Sequence, residues 1–166
     1  MKRFVPVLLF ATSVLLWSCG DQKKPDMPPP PPPPPAVEEA VISTKKSQEV
    51  LNHHLATFGQ NDLEALMTDY TENSVVITPD TTYTGLASIK ALFGNLLPLF
   101  PTEGTDFKVD QMIVQDDLAY IVWHANTPTV DIPLGTDTYL IEDGKILRQT
   151  FAAAVNPKEA VENSEE

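Results

Sequence analysis

Apolar residues recur with a helical period in three stretches of the chain. The first stretch predicts a helix over 47–58, whose apolar positions share one side at a spacing of 3.6 residues per turn. These positions are Val50, Leu51, His54, Leu55 and Phe58. Gly59 is expected to end this helix in a left-handed conformation, and Asn61 to cap a second short helix. A third helix is predicted over 88–97, ended by Pro98.

β-Branched and alternating segments predict strands in the rest of the chain. The first strand covers 74–77, and further strands cover 107–114, 118–126, 135–141 and 146–155. A loop with Pro128 and Pro133 precedes the third of these long strands, and Asp143-Gly144 predicts a tight hairpin before the last. Helices followed by antiparallel strands indicate an α+β fold, with the helices packed on one face of a curved sheet.

The first 44 residues have a different character from the rest of the chain. Lys2 and Arg3 precede an apolar run over 4–16 that is too short to span a bilayer as a helix, and the chain's single cysteine, Cys19, follows. This arrangement resembles a bacterial lipoprotein signal, which predicts a signal peptide over 1–18 and lipidation of Cys19. The alternative is an ordinary signal peptide or a short anchor, in which Cys19 has no role.

Residues 19–44 are interpreted as a tether that begins at the lipidated cysteine. Eight consecutive prolines, 28–35, favour a polyproline II helix. At ~3.1 Å per residue they form a spacer of ~25 Å. An SH3-type ligand is the alternative. Gly20 after Cys19 favours the bacterial outer membrane, by analogy with enterobacterial sorting, so the expected location is the cell envelope with the lipid bilayer as partner. The folded domain then covers 45–155, and 156–166 form an acidic disordered tail.

Composition narrows the range of functions. The formal net charge of −12 becomes −14 once Lys2 and Arg3 are removed, and an acidic surface argues against nucleic acid as a partner. Three histidines, two of them adjacent, show no metal-ligand spacing. The chain also contains no G-x-S-x-G motif and no glycine-rich phosphate loop. We therefore expect neither a metal nor a cofactor.

Three short segments resemble the nuclear-transport-factor-2-like superfamily, which includes SnoaL-like polyketide cyclases and ketosteroid isomerase. They are Asn61-Asp62-Leu63-Glu64-Ala65-Leu66, Tyr83-Thr84-Gly85 before Ile89, and Asp137-Thr138-Tyr139 before Glu142-Asp143-Gly144-Lys145-Ile146. The resemblance covers about residues 47–155. It implies a cone of three N-terminal helices on a curved, mainly antiparallel sheet, whose open end admits a small apolar molecule. A homodimer through the sheet is a further expectation.

The resemblance also permits a comparison of catalytic roles. Ketosteroid isomerase uses a carboxylate base and an oxyanion hole of a tyrosine and a protonated aspartate. The position of the base falls at Thr78, which cannot act as a base near neutral pH. The position of the tyrosine falls at His54, and that of the aspartate at Asp137. The expected function is therefore binding of a small apolar ligand without catalysis. The alternative is an acid–base enzyme of isomerase, cyclase or dehydratase type that uses His54 and Asp137.

The candidate ligand-binding residues combine these positions with their neighbours. They are His54, Phe58, Thr78, His124, Asp137 and Tyr139. The row Val50, His54 and Phe58 on the first helix is expected to face the row Asp137, Tyr139 and Ile141 on the sheet. Several alternatives stay open. His54 can be an ordinary core histidine and Asp137 a surface acid, and the sequence does not decide whether Trp123 or His124 enters the cavity. His53 is expected to face solvent, and Tyr83 to lie in a turn.

Overall fold

A computed structural model describes residues 43–159, in which helices cover one face of a curved six-stranded sheet. The elements in chain order are α1 (Thr44–Gly59), α2 (Leu63–Met67), β1 (Val75–Ile77), β2 (Thr82–Thr84), α3 (Gly85–Leu96), a 3₁₀ turn (Leu97–Leu99), β3 (Asp106–Gln115), β4 (Leu118–Asn126), β5 (Val130–Glu142) and β6 (Lys145–Pro157). This confirms the predicted α+β class. The predicted signal peptide, Cys19 and the proline run lie outside the described residues. Between residues 43 and 159, no helix has the length and apolar character needed to cross a membrane.

The sheet has the strand order β2-β1-β6-β5-β4-β3. All neighbouring strands are antiparallel except β1 and β6, which run parallel. The register shifts between Val109 and Gln111 on β3, and between Trp123 and Ala125 on β4. Irregularities of this kind bend a strand and increase its twist. They therefore let the long strands curve around the helices.

Side chains of three neighbouring strands form rows on the inner face of the sheet. Residues paired across a sheet point to the same side, so the register of β4, β5 and β6 defines these rows. The inner rows are Trp123–Gly135–Ala153, Ile121–Asp137–Phe151 and Ala119–Tyr139–Gln149. They place Asp137 in the middle of the central row, between Ile121 and Phe151.

Helix α1 packs its apolar face on these rows. Val50, Leu51 and His54 are buried, and the first turn is held to the β3–β4 turn because the Ser47 hydroxyl donates a 2.6 Å hydrogen bond to the carbonyl oxygen of Asp116. The rest of the core comes from α2, α3 and the inner face of the sheet. The largest fully buried apolar side chains of the whole core are Tyr139, Leu51, Leu66, Ile89, Ile121, Ile146 and Val76.

The structure corrects several local predictions. The left-handed residue after α1 is Asn61 (φ 57°), not Gly59, and the cap of α2 is Asp62, whose carboxylate accepts from the amide of Ala65. The side chain of Asn61 instead donates to the carbonyl of Phe100. The predicted turn around Tyr83 is strand β2, which pairs with β1. Asn and Asp tolerate left-handed backbone and cap helices equally well. The sequence alone therefore does not determine which of Asn61 and Asp62 is the left-handed residue and which is the cap.

Two strands are longer than predicted. Strand β5 begins at Val130 and continues through Pro133, because the register shift between Asp131 and Leu134 removes Pro133 from the regular ladder. Strand β6 continues to Pro157, two residues into the predicted acidic tail. The ammonium of Lys158 then donates to the side chain of Asn126 and to the carbonyl of Thr127. The predicted hairpin is confirmed, with φ values of 50° at Asp143 and 74° at Gly144.

Candidate functional site

A cavity of about 50 Å³ lies between α1, α3 and the inner face of the sheet. Most of the side chains around it are aromatic or aliphatic. Its lining comprises His54, Leu55, Phe58, Val76, Leu92, Phe93, Leu96, Phe100, Phe107, Ile121, Trp123, Asp137, Tyr139, Gln149 and Phe151. A single water molecule needs ~10–15 Å³ of such space, so the cavity has room for only a few water-sized groups.

Aromatic rings form the wall of the cavity on the side where side chains are only half-buried. Phe58, Phe107 and Phe151 are each partly exposed, which places the mouth among them. The rings contact one another through Trp123, which stacks on Phe151 with a centroid distance of 6.3 Å and lies 5.1 Å from Phe107. Rotation of these half-buried rings is the simplest way for the cavity to enlarge around a ligand.

A hydrogen-bonded polar cluster forms the base of the cavity around Asp137. The indole Nε1 of Trp123 donates to Oδ2 of Asp137, and the amide Nε2 of Gln149 donates to Oδ1, each at 2.8 Å. The hydroxyl of Tyr70 donates in turn to Oε1 of Gln149, which fixes the orientation of that amide. Both carboxyl oxygens of Asp137 therefore carry a donor, and Asp137 is only 6% exposed.

Burial dominates the protonation behaviour of this cluster. Burial raises the pKa of Asp137, while the hydrogen bonds from Gln149 and Trp123 and the nearby His54 oppose that rise. The pKa values of the Tyr70 and Tyr139 hydroxyls are raised well above their usual value, first by burial and next by the charge of Asp137. Both tyrosines therefore stay protonated and remain hydrogen-bond donors at physiological pH.

His54 lies on the opposite wall and is enclosed by aromatic rings. Its imidazole makes edge contacts with Tyr139, Tyr70 and Phe93 at centroid distances of 5.4, 5.8 and 5.8 Å. The Nδ1 atom lies 3.3 Å from Oδ2 of Asp69, outside good hydrogen-bond geometry, and both atoms are buried without another partner in the described part of the chain. The other oxygen of Asp69 pairs with Nδ1 of His53 at 2.7 Å.

The sequence of the chain matches one known family of domains. Residues 51–149, more than half of the chain, match the profile of the SnoaL-like domain. The chain belongs to the SnoaL-like domain family. No curated protein sequence matches it significantly.

Solved structures with the same fold are distant in sequence. A candidate ketosteroid isomerase from Kribbella flavida DSM 17836 is 16% identical, with a TM-score of 0.57 over 75% of this chain and 91% of that one. An NTF-2 like protein of unknown function from Burkholderia xenovorans LB400 is 18% identical, with a TM-score of 0.56 over 71% and 89%. A candidate polyketide cyclase from Sinorhizobium meliloti is 17% identical, with a TM-score of 0.53 over 66% and 98%. At these identities the likeness establishes the fold.

The SnoaL-like domain brings four of the six predicted ligand-binding residues to one cavity. His54 and Phe58 lie on α1, and Asp137 and Tyr139 lie on β5 on the facing wall. The expected opposition of the helix row and the sheet row is therefore present. The roles of these residues in ligand binding stay predictions.

Two of the predicted residues lie away from the cavity. Thr78 follows β1 in a tight turn, where its hydroxyl donates to the carbonyl of Thr81. His124 is on the outer face of β4, paired at 2.8 Å with Asp110, since its neighbour Trp123 takes the inward position. The resemblance placed Thr78 at the site, but it follows the end of β1 at Ile77 and does not line the cavity.

Two polar members of the SnoaL-like site were missed by sequence reasoning. Neither Tyr70 nor Gln149 was among the predicted site residues. Gln149 precedes Phe151 by two residues on a strand, so the alternation of inward positions carries a signal for its orientation. Nothing in the sequence signals that its partner is Asp137, because that pairing depends on the register of β5 and β6.

Between residues 43 and 159, no group of three or more His, Cys, Asp or Glu side chains is arranged to hold a metal ion.

Proposed function

We propose that this SnoaL-like domain binds a small, mainly apolar molecule that carries one polar group, without catalysing a reaction. The observation that carries the proposal is the cavity itself, with aromatic walls and a fixed polar cluster at its base. Ligand sites commonly combine apolar walls with a few convergent polar groups. The half-buried phenylalanines at the mouth allow the entry of a ligand larger than the closed volume.

The arrangement of carboxylates supports binding over catalysis. Thr78 occupies the position where the resemblance expects a carboxylate base, and its hydroxyl is directed into its own turn. Among residues 43–159, Asp137 is the one carboxyl group that lines the cavity, and both of its oxygens already accept hydrogen bonds from Trp123 and Gln149. A base held by two donors is less able to take a proton from a substrate.

Thermal denaturation with a panel of small ketones, phenols, sterols and fatty acids tests the proposal. A ligand at ten times its Kd adds about 1.4 kcal/mol to the free energy of unfolding, which corresponds to a rise in Tm of roughly 4–6 °C for a domain of this size. The variant Ile121→Phe reduces the cavity and should abolish the shift. Leu99→Phe adds an aromatic ring at a partly exposed position of the 3₁₀ turn, outside the sheet, and should retain it. No shift with any compound contradicts the proposal.

An acid–base enzyme is the second candidate, favoured by the raised pKa of Asp137 beside His54 in one cavity. A carboxyl group with a raised pKa can donate a proton near neutral pH. Compounds that bind should be incubated with the protein and followed by NMR for isomerisation or loss of water. If the wild type turns over a compound and Asp137→Asn binds it without turnover, the protein is an acid–base enzyme and the proposal of binding without catalysis is wrong.

We further propose that the domain forms a homodimer through the outer face of its sheet. The central row of this face, Ile113–Tyr120–Thr138–Thr150, crosses four adjacent strands without a charged side chain. Ile113, Leu118 and Leu134 are each about half exposed, at 49%, 48% and 52%. Light scattering should give twice the monomer mass. Tyr120→Lys should give a monomer, and Ala56→Lys on the exposed side of α1 should remain dimeric. A monomeric wild-type protein contradicts the proposal.

The position of the domain in the cell is a separate proposal that rests on sequence alone. We propose that Cys19 is lipidated and that the proline run holds the domain away from a bacterial membrane surface. Cys19→Ala should release the protein from the membrane fraction or leave an unprocessed precursor. Incorporation of labelled palmitate should be lost in the same variant. A variant that fractionates as the wild type with a mature-sized N-terminus contradicts this proposal.

A further inference from the structure

Two histidines, adjacent in sequence, share one buried carboxylate. Asp69 is 5% exposed and lies directly after α2, where its carbonyl accepts the amide of Ile146 and its amide bonds to the carbonyl of Leu66. These backbone hydrogen bonds hold Asp69 in a fixed place between α1 and the start of β6. One carboxyl oxygen is engaged by His53, which leaves the second directed at Nδ1 of His54.

The arrangement determines which nitrogen of His54 remains for the cavity. A carboxylate only accepts hydrogen bonds, so an imidazole nitrogen beside it is favoured in the protonated form. Asp69 also lines an open surface groove with Lys46 and Lys145. The atoms are 3.3 Å apart and both lack another partner in the described residues, so a small rotation of the ring completes the bond.

We propose that Asp69 is a positioning residue that holds His54 as its Nδ1–H tautomer, so that Nε2 accepts a hydrogen bond from a hydroxyl group on the bound ligand. The inference rests on the proposed binding function and adds the chemistry of the ligand's polar group. Neutral imidazole has one donor and one acceptor nitrogen, and the carboxylate of Asp69 lies 3.3 Å from the nitrogen that would donate. The ligand class is therefore an apolar molecule with a hydroxyl group that can donate, such as a phenol or an enol, rather than one with only ether or ketone oxygens.

Direct observation of the tautomer is the first test. Long-range proton–nitrogen NMR of the full chain distinguishes protonated Nδ1 from protonated Nε2 in each histidine. We expect the Nδ1–H form for His54 at neutral pH. An Nε2–H form in the wild-type protein overturns the inference without any variant being needed.

Paired ligands provide the second test. 4-Methylphenol and 4-methylanisole differ by the hydroxyl hydrogen that Nε2 would accept. We expect the phenol to bind the wild type at least tenfold more tightly, and this ratio to fall below threefold in Asp69→Ala. Asp110→Ala removes the carboxylate partner of the exposed His124 and should leave the ratio unchanged. His54→Phe keeps an aromatic ring, removes the acceptor and should also remove the preference.

The outcomes separate this inference from the proposed function. Equal affinity for the two probes in the wild type overturns the inference and leaves the binding function in place. A preference that persists in His54→Phe also overturns it, even where Asp69→Ala fails to fold. Failure of every compound in the panel to bind overturns both.

Discussion

The substitution Gly135→Ala tests the packing on which the polar cluster depends. Gly135 lies beside Trp123 in an inner row of the sheet. A Cβ added there would lie 2.2 Å from Cε2, 2.3 Å from Cζ2 and 2.6 Å from Cδ2 of the indole. Ordinary van der Waals contact begins at 3.4 Å, so the indole must move by about 1.2 Å. The glycine is required here by the close approach of a ring.

The expected cost follows from two effects. Overpacking of a well-packed core costs about 1–3 kcal/mol. The displacement is large enough to break the 2.8 Å bond from Trp123 to Asp137, and loss of a hydrogen bond to a buried charged group costs roughly 1.5–3 kcal/mol. We expect Gly135→Ala to lower the free energy of unfolding by about 3–5 kcal/mol, a large part of the ~5–15 kcal/mol typical of a domain.

Urea denaturation followed by tryptophan fluorescence measures this effect. A Trp17→Phe background leaves Trp123 as the one fluorophore of its type in the chain, and its emission should shift to the red in Gly135→Ala as the indole becomes more exposed. Gly59→Ala is the control. A Cβ at Gly59 at the end of α1 meets nothing within 4 Å, so this change should be neutral or stabilise by up to ~1 kcal/mol.

A double-mutant cycle isolates the contact itself. In a Trp123→Leu background the ring that conflicts with the new methyl group is absent, so Gly135→Ala should cost at least 2 kcal/mol less than in the wild type. Equal costs in both backgrounds would refute the reasoning, because the destabilisation would then come from the backbone of β5. A loss of less than 1 kcal/mol in the wild type would show that the sheet accommodates the methyl group without displacing Trp123.

Three other predictions concern the same cluster. Because burial raises the pKa of Asp137 above its unfolded value, the folded state binds the additional proton, and this contribution to stability falls as pH rises from ~4 through the folded pKa. Asp137→Asn should remove that component, which is measured as the difference between the pH profiles of unfolding; identical profiles contradict the assignment. Tyr70→Phe should cost roughly 1–3 kcal/mol by leaving the Gln149 oxygen buried without its donor, whereas Tyr120→Phe on the outer face should change stability by less than ~0.5 kcal/mol. Gln149→Leu should raise the pKa of Asp137 further by removing a donor to its carboxylate, as titration by carbon-13 NMR would show; a lower pKa contradicts the described contact.

Periodicity predicted the fold well because the two main periods are physically distinct. The helix row that contains Val50 and His54 repeats every four residues, and the strand row that contains Asp137 and Tyr139 repeats every two. Each period specifies a buried face, and burial of both faces requires that they meet. The opposition of α1 and β5 across the cavity therefore followed from sequence, as did the hairpin at Asp143 and Gly144.

The errors arose where local signals were degenerate or where long-range register decides the outcome. Trp123 and His124 alternate on one strand, and nothing local determines which of the two faces inward. Gly135 explains the inward position of Trp123. The two residues are paired in an inner row, and the indole covers the glycine, which has no side chain. Thr78 was included among the site residues because the resemblance placed the catalytic base there, whereas in the structure its hydroxyl bonds within the turn that follows β1. The carboxylate next to His54 in the structure is that of Asp69, which follows α2, whereas Asp137 lies on the other side of the cavity; Asp69 was not among the predicted site residues.

His54 therefore lies between two carboxyl groups with different surroundings. Asp137 belongs to the cavity, is held by donors from Trp123 and Gln149, and has a raised pKa because it is buried. Asp69 lies behind the ring, is held by His53 and reaches an open groove. A ligand hydroxyl between His54 and Asp137 would meet an acceptor at Nε2 on one wall. On the other wall it would meet the carboxyl group of Asp137, whose pKa is raised by burial. An apolar molecule with a single hydroxyl satisfies both walls only if that hydroxyl donates to the histidine and accepts from the carboxyl group. The two variants Asp69→Ala and Asp137→Ala should therefore weaken binding of 4-methylphenol by different routes. The first removes the carboxylate that positions His54, the acceptor for the ligand hydroxyl, and the second removes the carboxyl group from which that hydroxyl would accept.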